Sequence, residues 1–92
     1  MRHLGVIVKV TRSRNFLVKL NAKIDKDFKD MKVVLEDLTF IGVVSDIIGP
    51  VREPYALVKV AIPLDKAPEL IGRKVYLIDK KGELNLIKYS DS

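Results

Sequence analysis

One histidine, no cysteine and four serines are the sequence's whole stock of imidazole bases and conventional nucleophiles. His3 stands at the start of an alternating apolar segment, a place for a rim residue rather than a general base. Ser13, Ser45, Ser90 and Ser92 have no histidine at a spacing that could activate them. Without cysteine there is no thiolate ligand, covalent thiol chemistry or disulfide, and a reducing, cytoplasmic setting is expected. Asp25, Asp27 and Asp30 form the densest carboxylate group. They lack the glycine and the closing bidentate glutamate of a calcium loop, and Lys23, Lys26 and Lys29 between them read as a charge-balanced solvated connection. Gly5, Gly42, Gly49, Gly72 and Gly82 are scattered singly, so no glycine-rich phosphate loop exists. The expectation is a protein with no catalytic residues, no metal and no cofactor.

Binding chemistry is better represented. Residues 47–55 read Ile-Ile-Gly-Pro-Val-Arg-Glu-Pro-Tyr. Pro50 and Pro54 fix φ and remove donors, while Gly49 can take a conformation closed to other residues. Apolar side chains on so stiff a loop lose little entropy on docking, and Tyr55 close to Arg52 is the type of pair that anchors interfaces. Two readings of this run stand open: an outward docking surface, or Val51 and Tyr55 folded inward to cap a barrel end. A different surface comes from charge. Seventeen Lys and Arg against twelve Asp and Glu give +5 and a pI near 9.6, which attracts anionic partners. Arg12, Arg14, Lys80 and Lys81 are the candidate phosphate contacts if the chain is a stand-alone RNA-binding β-barrel of the translation-factor type.

The elements that must hold these residues are short and alternate with period two, which indicates strands. In residues 4–10, Leu4, Val6, Val8 and Val10 are expected on the core face, and Phe16, Val18 and Leu20 repeat the pattern in an antiparallel partner. Further strands are expected over residues 31–36, 38–48, 55–62 and 75–78, with a possible last one at 84–87. Gly42 interrupts the longest of them, where a lone glycine marks a bulge or a close backbone approach. The only helical turn is expected within residues 65–71, closing at Gly72. Six or seven such strands in 92 residues predict one all-β domain over residues 1–92, a small closed barrel whose closure removes exposed edges, with residues 90–92 fraying. The only apolar start, residues 4–8, is interrupted by Lys9, so no secretory core or membrane span is expected.

The run over residues 40–59 resembles the archaeal Gar-type subunit of H/ACA ribonucleoproteins. That family's pattern is an apolar strand with glycine, then Asp and two apolar residues, Gly-Pro-Val, two variable residues, Pro-Tyr, and a strand ending apolar-Lys. Gly42, Asp46-Ile47-Ile48, Gly49-Pro50-Val51, Pro54-Tyr55 and Val58-Lys59 match it in order. Leu4-Gly5 and Val75-Tyr76 are similar to the family's opening and late strands. Ile48 departs from the family's usual Phe. The resemblance implies a six-stranded barrel of the reductase, isomerase and elongation-factor type. It also implies a noncatalytic subunit that docks on the RNA-guided pseudouridine synthase, assists substrate loading and product release in ribosomal RNA modification, and makes little or no direct RNA contact. The residues expected to meet the synthase are Gly42, Ile47, Ile48, Gly49, Pro50, Val51, Pro54 and Tyr55.

Overall fold

The computed structural model describes residues 2–21, 28–80 and 82–89. Six strands, β1 (Arg2–Val10), β2 (Asn15–Leu20), β3 (Lys32–Val34), β4 (Phe40–Ile48), β5 (Tyr55–Val60) and β6 (Lys74–Ile78), close into a barrel in the order β1-β2-β5-β4-β3-β6. Every neighbouring pair is antiparallel. The expected all-β closed barrel is therefore the observed architecture, with six strands rather than seven.

Alternation predicts the inner face well where the ladder is regular. Phe16, Val18 and Leu20 of β2 face Ala56 and Val58 of β5, and all are buried. They join Leu4, Ile7, Val33, Ile41, Val44, Val75 and Leu77, so each strand feeds one apolar core. β1 corrects the expected stripe. Its ladders shift between His3 and Gly5 on the β6 side and between Ile7 and Lys9 on the β2 side. Each extra residue moves the rest of the strand to the other face. Leu4 and Ile7 are consequently buried, Val6 and Val10 are half-buried, and Val8 is exposed.

The expected last strand at residues 84–87 is also corrected. Gly82–Asn85 forms a 3-10 helix, and only Ile87 makes a bridge, parallel to Thr39. The Gly82 N–H donates to Asp79 Oδ1 at 2.9 Å and that of Glu83 to the Asp79 carbonyl at 3.1 Å. Those local bonds turn the chain away from a ladder. The segment then crosses the start of β4, where Phe40 N–H donates to the Ile87 carbonyl and Ile87 N–H to that of Leu38. The expected helical turn is a 3-10 helix at Ala67–Leu70, which buries Ala67 and Leu70 and is followed by Gly72 at φ 91°.

Strand direction fixes which connections share an end. Lys19 lies opposite Tyr55, and Asn15 opposite Lys59. The β1–β2 turn at residues 11–14 and the β4–β5 loop at residues 49–54 thus open at opposite ends of the barrel. Lys80 lies just past β6, whose Leu77 faces Arg2 at the start of β1, so it belongs to the loop's end.

Candidate functional site

The β4–β5 hairpin reaches past its neighbour. β3 pairs with β4 only from Phe40 to Val43, whereas β5 continues to pair as far as Ile48 opposite Tyr55. Ile47 and Ile48 therefore lie beyond the end of β3, each 39% exposed. The Ile47 N–H donates to Asp46 Oδ1 at 2.8 Å, which occupies one donor of this short edge.

The adjoining loop is fixed from several sides. Gly49 has φ 92°, a left-handed conformation that an L side chain resists. The Glu53 N–H closes a turn onto the Pro50 carbonyl at 3.0 Å, which puts Val51 and Arg52 at the tip. The Pro54 carbonyl accepts from Leu20 N–H at 3.2 Å, tying the loop to β2. Glu53 accepts from the Tyr55 hydroxyl at 3.3 Å and pairs with Lys19 Nζ at 3.6 Å. Val51 is 98% exposed, so it projects into solvent and does not plug the barrel. Pro54 and Tyr55 are half-buried at its base.

Seven of the eight residues expected to meet a partner are thus gathered on one projection: Ile47, Ile48, Gly49, Pro50, Val51, Pro54 and Tyr55. Gly42 is not among them. It is buried in the barrel wall, where a Cβ would run into the Lys59 carbonyl oxygen and the Val58 side chain. The close backbone approach read from this glycine is to β5 of the same barrel. Beside the projection, a cleft of about 290 Å³ lies over β1 and β2, lined by His3, Gly5, Val6, Val8, Lys19 and Asn21 and floored by the buried Leu20. The signal for this extension is the cross-strand row Val6, Lys19, Tyr55 and Ile48, which emerges only once the register is known.

The expected phosphate contacts are not brought together. Arg12 and Arg14 stand in the β1–β2 turn, Lys80 at the opposite end, and Lys81 lies outside the described residues. Asp25 and Asp27 also lie outside them, while Asp30 is exposed. Among the described residues no three of His, Cys, Asp and Glu gather where an ion could be held. His3 Nδ1 is 3.2 Å from Asn21 Nδ2, and its ring packs 5.3 Å from that of Tyr76. At the other end, hydrogen bonds from Thr39, side chain first and then backbone N–H at 3.0 Å, hold Asp37 below its ordinary 3.8, with Arg73 adding attraction. Among the described residues no helix is long and apolar enough to cross a membrane.

No protein-family model matches the sequence, and no curated protein matches it significantly. A solved structure, that of the Gar1 domain of NAf1, superposes with a TM-score of 0.66 at 20% identity, over 85% of this chain and 85% of that one. The chain has a Gar1-like barrel.

Proposed function

We propose that this chain is a noncatalytic protein associated with an H/ACA ribonucleoprotein, where it docks on the pseudouridine synthase and assists substrate loading and product release. The observation that carries this reading is the proline-braced projection. An almost fully exposed Val51 and two half-open isoleucines, on backbone pinned by Gly49 and Pro54, form a surface whose apolar area has no use within the barrel. The Gar1-like fold supports it, and so does the match of residues 41–59 to the Gar-type pattern. Docking on the order of 800 Å² per partner would take in the tip, Ile48, Tyr55 and the neighbouring β1–β2 cleft.

The test is capture of the pseudouridine synthase from the same cell. Val51→Asp places a charge at the tip without touching the core, and should abolish capture while circular dichroism and Tm stay native. Full capture by Val51→Asp and by Ile48→Asp would remove the assignment.

A further inference from the structure

The turn at the end opposite the projection carries a second surface. Lys9 is on the outer face of β1, paired with Leu17, and Lys59 is on the outer face of β5, paired with Asn15. Between them β2 enters from the turn that holds Arg12 and Arg14. The Arg14 carbonyl accepts from Val60 N–H at 3.1 Å, which sets the turn against the end of β5 next to Lys59. Strands are about 4.8 Å apart and rise about 3.4 Å per residue, and Lys59 lies two residues along from the position level with Lys9, so the two stand roughly 12 Å from each other with the two arginines at the same rim. All four are exposed.

Two further observations mark this cluster. Lys19, Lys32 and Lys66 each have a carboxylate partner, Glu53, Glu83 and Glu69. Among the described residues Lys9, Arg12, Arg14 and Lys59 have none, as is also true of Arg2, Arg52, Lys74, Lys80 and Lys88, but only the first four gather at one rim. Arg14 also has φ 65°, in a four-residue turn closed by Arg14 N–H to the Thr11 carbonyl. Glycine or asparagine takes that conformation at lower cost, and Asp30 and Leu38 share it, so a change to glycine at Arg14 removes the charge without disturbing the turn.

We infer that Lys9, Arg12, Arg14 and Lys59 form a contact site for the phosphate backbone of RNA. The turn residues beside the cations, Thr11, Ser13 and Asn15, are polar and none is an aromatic that could stack a base, so the contact reads phosphates and not sequence. An acidic protein is the poorer fit, because protein interfaces deplete lysine and favour aromatic anchors, and the apolar neighbours here, Leu17, Val43 and Val60, are half-buried in the barrel wall. The site goes beyond the docking proposal, is independent of the loop, and departs from the little or no direct RNA contact that the Gar-type resemblance implies.

Fluorescence anisotropy with a labelled single-stranded RNA of mixed sequence, and no synthase present, tests it. At about −0.7 per phosphate for single strands, four contacts give a slope of log K on log salt near −3. Lys9→Gln, Arg12→Gln, Arg14→Gly and Lys59→Gln together should weaken binding at least 10-fold and flatten that slope. A charge-matched control, Arg2→Gln, Lys66→Gln, Lys80→Gln and Lys88→Gln, should retain most of the affinity. Arg14→Gly alone should weaken RNA binding while Tm stays equal or rises, an outcome that a purely structural role cannot produce. Equal losses in the two fourfold variants, or none in the first, would overturn the site. So would tighter binding of poly-glutamate than of RNA, which would hand the surface to an acidic polypeptide. Failure here leaves synthase capture untouched, and loss of capture leaves this measurement untouched.

Discussion

At one end of the barrel, residues 49–54 carry two prolines, a left-handed glycine and an exposed valine. At the other, residues 11–14 carry two arginines with no carboxylate partner among the described residues, one of them in the left-handed conformation that the first loop gives to glycine. Both connect neighbouring antiparallel strands, yet one spends its special backbone on shape and the other on charge. The contrast teaches that a small closed barrel can offer two contacts governed by different forces. Apolar burial acts over contact distance and is little altered by salt, whereas attraction to phosphates is screened within about 10 Å at 0.1 M salt.

The largest effect should come from striking the wall that holds both ends apart. Gly42→Ala drives a methyl into the Lys59 carbonyl. A loss of about 2–3 kcal/mol is expected, and roughly 10–20 °C in Tm by thermal melting. Gly5→Ala, which meets the Lys19 carbonyl, should behave alike. If either variant melts like the native chain, these glycines are not what closes the barrel.

A middle-sized effect separates the two ends directly. Raising NaCl from 50 to 200 mM should weaken RNA binding on the order of 50-fold, while synthase capture changes by less than about 3-fold. Parallel salt dependence in both assays would erase the distinction.

The smallest effect concerns Asp37, near the start of β4. Its folded-state pKa is depressed by the Thr39 bonds, so its contribution is complete above the ordinary 3.8 and is lost as pH falls through the lower folded value. Asp37→Asn should therefore slightly flatten the loss of Tm between pH 5 and about pH 3, without changing RNA binding or capture. An unchanged acid limb would show that the pairing with Thr39 contributes nothing to stability.

The barrel is legible in the sequence because β2 and β5 alternate without interruption, and Phe16, Val18, Ala56 and Val58 are buried as their spacing requires. β1 is less so, for a specific reason: Leu4, Val6, Ile7, Val8 and Val10 put aliphatics on both parities, so nothing in the composition tells where the register slips. Residues 84–87 mislead in a related way. Leu84, Leu86 and Ile87 resemble a strand, but Asp79 captures the Gly82 N–H and begins a tight helical turn first. Proline and glycine punctuation reveals the projecting loop. Gly42 does signal a close approach, though the neighbour it meets is internal. The basic cluster escapes a linear reading because Lys9 and Lys59 are fifty residues apart in sequence and meet only through β2.

Ser45 is the extra residue that shifts β4 against β5, with Val44 opposite Val58 and Asp46 opposite Leu57, and its hydroxyl donates to the Leu57 carbonyl at 3.1 Å. Side chains alternate strictly along a strand, so this single insertion decides which way Asp46, Ile47 and Ile48 are aimed. It works as a rudder for the hairpin: without it the same three residues would steer their carboxylate where the isoleucine now faces, and the tip would arrive at any neighbour wrong side out.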